Sequence, residues 1–266
     1  MLSIRLNEKT VDVEEGITLF GLRDQIKPDA DVLILNGAAM QSDAVLQSDD
    51  KVSLIQRGEM PSREDLEALM AARHTPGVHE KLKAATVGIA GLGGLGSAAA
   101  VALARVGIGK LILADFDVVE PSNLNRQQYF VDQLGQLKTD ALVSNLRKIN
   151  PYVSVEAHAV KLTTDTVFPM FGNVNVMIEA FDRPDQKTML LQAFTASRPN
   201  VPFIGASGMA GYASGETIGI KQLSDSIYIV GDLETDARPG CGLMAPRVGI
   251  AASMQANLAL RLIVES

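Results

Sequence analysis

Four glycines, in Gly91-Leu92-Gly93-Gly94-Leu95-Gly96, fit a G-x-G-x-x-G pattern between a strand-like run, Thr86–Gly91, and a helix-like run, Leu95–Val106. Glycine at these positions lets the chain turn tightly and lets a phosphate reach the backbone. The helix N-terminus then supplies free N–H groups and the positive end of a dipole. Asp115 follows Gly96 by 19 residues, at the end of the next expected strand, where a carboxylate can bond ribose hydroxyls. NAD and ATP both carry ribose and phosphates, so these residues leave the nucleotide open.

The next segment reads Asp115-Phe116-Asp117, then Ser122-Asn123-Leu124-Asn125-Arg126-Gln127. A hydride-transferring site has no evident need for this density of donors. A triphosphate site does, because Arg offers a bidentate fork and Ser, Asn and Gln add further donors. Lys138 is a second cation, 12 residues after Arg126, near the start of a helix. Asp182, beyond the strand-like Val174–Ala180, falls at the same sheet edge and suits Mg²⁺ riding on phosphates. The plain alternative is that Arg126 and Lys138 are surface charges and Asp182 a helix cap. Cys241 lies between two glycines and near Arg238, which suggests an exposed, reactive loop thiol against the plainer reading of a small buried hydrophobe. His74, His79 and His158 have no metal-ligand spacing and read as structural or surface residues.

These groups must be carried by a scaffold, and the pattern supplies one. From about residue 84, strand and helix alternate: Thr86–Gly91, Leu95–Val106, Lys110–Ala114, Thr139–Ile149, Val153–Val160, Val174–Ala180 and Phe203–Ala206, with a helical tail over Val248–Val264. Such alternation predicts an α/β fold with a Rossmann-like, mostly parallel sheet and helices on both faces. Residues 1–57 read differently. Leu2, Ile4 and Leu6 alternate, as do Val11 and Val13, Thr18 caps a short helix, and Val32–Leu35 and Val52–Leu54 are further strands. That order is a small β-grasp domain. Residues 58–63 read as a linker, with Ser62-Arg63-Glu64-Asp65 resembling a capping box for a helix containing Leu66, Leu69 and Met70; the large domain is expected over 64–266.

Composition narrows the class. With 24 basic and 31 acidic residues the net charge is −7, which disfavours a general nucleic-acid binder. One cysteine in 266 residues allows no intrachain disulfide and no Cys-rich zinc site, and fits a reducing, cytoplasmic compartment. The charge-free run Val87–Ala104 has the length of a short membrane span, but five glycines make it a strand–turn–helix. The N-terminus shows no basic-then-apolar leader pattern, and no membrane association is expected.

Together, Gly91–Gly96, Asp115-Phe116-Asp117, Ser122–Gln127, Lys138 and Asp182 resemble the ubiquitin-activating-enzyme-like superfamily, of ThiF/MoeB type and nearest to ThiF. The resemblance implies ATP-dependent adenylation of the C-terminal carboxylate of a small sulfur carrier similar to ThiS, with pyrophosphate leaving, in thiamine thiazole synthesis. It implies that Asp115 holds ribose, that Asn123, Arg126 and Lys138 hold phosphates, and that Asp182 holds Mg²⁺. It also implies a homodimer in which Arg73 reaches the partner's site, and that Cys241 meets the activated carrier. Two departures stand out: the chain lacks the paired cysteines that hold zinc in many relatives, so no zinc is expected, and Arg183 replaces the asparagine that often follows the aspartate. Residues 1–57 resemble ThiS, yet the chain runs on through Arg57-Gly58-Glu59 instead of ending in Gly-Gly, which implies a degenerate carrier that cannot itself be adenylated. Other readings remain open: a carrier of molybdopterin, cysteine or siderophore pathways, an NAD-dependent oxidoreductase, or a carrier-binding scaffold without catalysis.

Overall fold

The computed structural model describes residues 1–7, 9–59, 66, 75 and 77–266. The linker, the Ser62–Asp65 capping box, the helix expected around Leu69 and Met70, and Arg73 and His74 lie outside the described residues. The chain divides into two compact units, Met1–His74 and Thr75–Ser266.

Among the described residues, the first unit holds a five-stranded sheet crossed by a helix. Strands β1 (Leu2–Leu6) and β2 (Lys9–Val13) form an antiparallel hairpin, and helix α1 (Leu19–Ile26) follows. Strands β3 (Val32–Leu35), β4 (Ala38–Met40) and β5 (Lys51–Ile55) complete the order β2-β1-β5-β3-β4, with β5 parallel to β1. Thr18 caps α1 by accepting a hydrogen bond from the Gly21 N–H at 3.1 Å. Asn36 and Gly37, both with positive φ, make the two-residue turn that joins β3 to β4. Alternation then sends Ile4, Leu6, Val13, Leu33, Val52 and Leu54 to one face, where Leu19 and Leu22 cover them. The β4 strand is not among the elements expected from sequence, because its three residues carry too little pattern.

The second unit is doubly wound. After helix α2 (Val78–Ala84), strands β6 (Thr86–Ala90), β7 (Lys110–Asp115), β8 (Ser154–Ala159), β9 (Val176–Glu179), β10 (Phe203–Ala206), β11 (Gly219–Gln222) and β12 (Ile227–Gly231) form one sheet in the order β11-β12-β10-β9-β6-β7-β8. All neighbours pair in parallel except the β11–β12 hairpin at one edge. Each central strand sends alternate residues to opposite faces. Val87, Ile89, Leu111, Leu113, Val176 and Ile178 pack with helices α3 (Gly94–Arg105), α4 (Lys138–Ile149) and α7 (Ala245–Glu265). Ile112, Ala114, Met177 and Phe203 pack with α5 (Thr164–Phe171) and α6 (Pro184–Ser197) on the other face. The expected α/β fold, with helices on both faces and a β-grasp unit ahead of it, is therefore borne out.

Strand ends differ from expectation by one or two residues, and β11 and β12 were not foreseen. The α7 helix is long and apolar enough to cross a membrane, but Val248, Ala251, Ala252, Ala256, Leu258, Ala259 and Ile263 are buried in the first of these cores. The charge-free run 87–104 is β6, a turn and α3, as its glycines predict. Strand order reverses between β6 and β9: the chain leaves β6 toward β7 and β8, then returns to β9 on the other side. In open α/β sheets a crevice forms beyond the strand ends at this point.

Candidate functional site

A cavity of about 400 Å³ opens at that switch point, within the range of small-molecule sites. Gly91, Gly93, Gly94, Asp115, Arg126, Gln127, Lys138 and Asp182 line it, so residues far apart in sequence meet around one space. Gly96, Ser122, Asn123 and Cys241 do not line it, and Arg73 is not among the described residues.

The glycines divide the work. Gly91 has φ +89°, and a Cβ there would sit 2.7 Å from the Ala180 carbonyl oxygen. At Gly96 a Cβ would lie 1.8 Å from the Gly91 carbonyl oxygen, so this glycine seats α3 tightly against the loop instead of contacting a ligand. Gly93 is open on its cavity side, and α3 begins there without a side-chain cap. Ser97 Oγ donates to the Gly93 carbonyl at 2.6 Å and accepts from the Gln128 N–H at 3.1 Å, which ties the loop to the 122–128 segment. Tyr129 Oη donates to the Leu92 carbonyl at 2.8 Å from beneath. Burial, followed by the nearby charges of Asp115 and Asp117, raises the Tyr129 pKa and keeps it a neutral donor.

Asp115 closes β7 and is almost fully buried. Its Oδ2 accepts from the Leu92 N–H at 2.6 Å and its Oδ1 from the Asp117 N–H at 2.8 Å. Each oxygen keeps a second lone pair. Asn123 is buried in a short 3₁₀ turn, where its Oδ1 accepts from the Glu120 N–H at 3.1 Å. The structure thus gives Asn123 a turn-forming bond off the cavity, and Ser122 is exposed beside Glu120. That turn aims Arg126 and Gln127. The Arg126 guanidinium donates to the Ser122 carbonyl at 3.1 Å and to Asn125 Oδ1 at 2.8 Å, and meets no carboxylate among the described residues. Gln127 is buried, with a shielded Oε1 that has no donor. Lys138, first residue of α4, has only 7% of its side chain exposed, and its Nζ donates to Asp117 Oδ2 at 2.9 Å.

Asp182 lies three residues past the end of β9, exposed on the cavity wall. Arg183 beside it also lines the cavity and forms a two-point pair with Asp185, both contacts 3.0 Å. Below them sits a pair that sequence reasoning missed. The buried Glu179 takes both oxygens to Lys187 Nζ at 2.9 and 3.1 Å, and Lys187 also donates to the Ala206 carbonyl. Glu179 further accepts from the Phe181 N–H at 2.7 Å, fixing the chain one residue before Asp182. Burial pushes the Glu179 carboxyl up, against the pull of Lys187. A single acid ending an otherwise apolar strand was the available signal.

A second unforeseen pair closes the far wall. Arg247 at the start of α7 bonds Asp232, the Thr217 hydroxyl and the Ala213 and Ser214 carbonyls. Asp232 also accepts from Thr235 and Glu234, so the 232–237 loop, part of which lines the cavity, is held in place. Cys241 is half-buried in a tight hairpin with Arg238, joined by two backbone hydrogen bonds of 2.8 and 3.0 Å, with Gly240 at φ +84°. The His158 ring pairs with Glu156 at 2.9 Å on β8, away from the cavity lining.

A doubly wound domain with a glycine loop, a buried acid and two cations at its switch point belongs to the α/β class that binds ligands in this crevice. Within that class, the chain belongs to the ThiF family, which matches residues 67–266; a ThiS-like ubiquitin family matches residues 2–58. Among curated proteins, the ubiquitin-like modifier-activating enzyme 5 of Oryza sativa subsp. japonica is 44% identical over 93 residues, which is 35% of this chain and 22% of that protein. The adenylyltransferase and sulfurtransferase uba4 of Pyricularia oryzae is 35% identical over 130 residues, 48% of this chain and 26% of that protein. The chain thus matches about a quarter of the length of these relatives. Among solved structures, E. coli tRNA N6-threonylcarbamoyladenosine dehydratase, TcdA, in complex with AMP, superposes with a TM-score of 0.68 at 23% identity, covering 74% of this chain and 93% of that one. E. coli MccB with ATP gives 0.55 at 24% identity, covering 79% and 65%. At these identities the two structures speak for the fold.

Proposed function

We propose that this protein is an adenylyltransferase that uses ATP to activate the C-terminal carboxylate of a small ubiquitin-like sulfur carrier. The observation that carries the reading is the gathering of Arg126 and Lys138 around one cavity with the glycine loop, Asp115 and Asp182. A carboxylate nucleophile needs no general base, so the protein's task is positioning and charge neutralisation at phosphorus. The loop's N–H groups and the two cations would hold the triphosphate, and Asp115 would use its remaining lone pairs for ribose hydroxyls. A carrier carboxylate oxygen then attacks the α-phosphorus, the bond to the bridging oxygen breaks, and pyrophosphate leaves with both electrons of that bond. An acyl-adenylate remains.

Among the described residues no cluster of three His, Cys, Asp or Glu side chains could cage a metal. A single carboxylate, Asp182, fits Mg²⁺ that keeps most of its coordination on phosphate and water. Bound there, the ion would supply positive charge to the leaving pyrophosphate.

The same reading extends to a ThiS-like carrier in thiamine thiazole synthesis, to a cytoplasmic homodimer with Arg73 completing the partner's site, and to Cys241 meeting the activated carrier. The β-grasp unit is read as a carrier that has lost its reaction. Arg57 pairs with Asp31 and Glu59 with Lys27, so the segment after β5 is pinned to its own unit, whereas a carrier's tail must be free to enter a site. Its remaining use is packing, assembly or regulation.

ATP–pyrophosphate exchange, run against ThiS-like and molybdopterin-type carriers, tests the proposal. Carrier-dependent exchange is expected. Tight NAD binding without ATP binding would overturn it in favour of an oxidoreductase.

A further inference from the structure

Lys138 is not a free cation waiting for phosphate. It is enclosed, and its one charged partner among the described residues is Asp117, whose side chain remains half exposed on the cavity wall. The two residues are tied twice, since the Lys138 N–H also donates to the Asp117 carbonyl at 2.9 Å. Asp117 in turn donates its own N–H to Asp115 Oδ1 at 2.8 Å. The segments around this pair form a short ladder: Val118 bridges Leu137, the Val119 N–H reaches the Gln136 carbonyl, and the Gly135 N–H reaches the Val119 carbonyl. One residue therefore links the acid read as the ribose group to the cation read as a phosphate group.

We propose that Asp117 is a positioning residue that holds the Lys138 ammonium in the direction of the reacting phosphate before the nucleotide arrives; this rests on the adenylation reading above. An ion-paired lysine held toward phosphates is a recurring device in phosphoryl transfer. The pairing also has a cost, because Asp117 sets a negative charge close to the phosphates. Its two effects on ground-state binding oppose each other, while aim alone matters as charge develops on the leaving group. Loss of Asp117 should accordingly fall on kcat more than on KM.

The test is a double-mutant cycle on the full chain with Asp117→Asn and Lys138→Ala. In exchange assays, Asp117→Asn is expected to lower kcat by about 10- to 100-fold with a KM for ATP changed less than about threefold. Calorimetric titration with MgATP, which needs no carrier, supplies the second arm. Lys138→Ala is expected to weaken binding about tenfold in the otherwise wild-type chain, and less than about twofold when added to Asp117→Asn, because a misdirected ammonium has little left to lose. Asp117→Glu, which keeps the charge, should restore part of the kcat. Equal effects of Lys138→Ala with and without Asp117→Asn would overturn the positioning role while leaving adenylation standing, as would a rise in KM at unchanged kcat. Wild-type protein that binds no ATP would overturn both. Thermal melts followed by circular dichroism separate either outcome from misfolding.

Discussion

The Glu179–Lys187 pair offers the sharpest test of how the cavity floor is held. Glu179→Gln keeps the shape but removes the charge and replaces one acceptor with an NH₂ group. That NH₂ must face Lys187 Nζ, the Phe181 N–H or the Ala206 N–H, all of them donors. Removing one partner of a buried pair costs ~3–5 kcal/mol. Lys187 retains 28% exposure and can recover some hydration, which places the expected loss near the lower end, about 3 kcal/mol. At about 2–4 °C per kcal/mol for a domain of this size, the melting temperature should fall by roughly 6–12 °C. Where the NH₂ takes the Oε1 position, the Phe181 N–H loses its anchor and Asp182 its fixed place, and exchange at a temperature well below the melt should slow about tenfold. Glu179→Gln combined with Lys187→Met should be less destabilised than the two single changes added together, because the double variant buries no unpaired charge. Calorimetric melts of the four proteins decide it. Strict additivity, or a Glu179→Gln melt within about 2 °C of wild type, would refute the claim that this pair anchors the floor.

Three other perturbations have defined outcomes. Arg126→Ala should lower exchange by about 10²–10³-fold in folded protein, the usual loss when one transition-state charge partner goes; an unchanged rate would make it a surface charge. For Asp232, burial raises its pKa, but hydrogen bonds from Thr235, Glu234 and Arg247 outweigh this and hold the carboxyl well below the usual carboxylate range. A depressed folded value means its stabilisation is complete above about pH 4, the ordinary Asp value, and is lost as pH falls toward the folded value. Asp232→Asn should therefore flatten the acid limb of melting temperature against pH, and an unaltered limb would remove Asp232 from the acid response. Cys241→Ser should leave exchange near wild type, since adenylation uses no thiol, and slow thiocarboxylate formation on the carrier; collapse of exchange would mean that the 238–241 hairpin shapes the adenylation site.

How much of this was legible in the sequence follows from the range of each interaction. The glycine loop could be read because its requirements are local: a tight turn at Gly91 and a close helix contact at Gly96 exclude a Cβ, so glycine had to be written into the sequence. Strands β6, β7 and β9 were readable as short apolar runs, buried on both faces and alternating along the chain with helical segments. Sequence spacing also put Arg126, Lys138 and Asp182 at the sheet's carboxyl edge, where they line the cavity. Asn123 has the right type at the right place, yet its side-chain oxygen turns back to the Glu120 N–H within its own 3₁₀ turn, a detail that depends on side-chain rotation. Nothing local says that Glu179 will find Lys187 across a turn, or that Arg247 will reach back to Asp232 and Thr217. The short β11 and β12 strands, set by pairing at a sheet edge, escaped for a similar reason.

These long-range pairs share one property that bears on the chemistry. Asp117–Lys138, Glu179–Lys187 and Asp232–Arg247 each join two segments that line or flank the cavity, and each keeps its cation enclosed or partly enclosed. Arg126 is the contrast: its guanidinium rests on a carbonyl and an amide oxygen, with no carboxylate partner among the described residues. Of the two cations read as phosphate groups, an anionic ligand entering the cavity therefore meets Arg126 uncompensated and Lys138 already balanced by Asp117. The two cations should respond differently to ionic strength. Arg126 is only partly buried, so attraction to it is the more screened, with a Debye length of about 8 Å at physiological salt, while the enclosed Lys138–Asp117 pair is screened much less. Salt should weaken ATP capture through Arg126 first, and the salt dependence of MgATP affinity should shrink in Arg126→Ala and persist in Lys138→Ala. Equal salt slopes in the two variants would mean that the phosphates meet both cations in the same environment, contrary to the burial that separates them here.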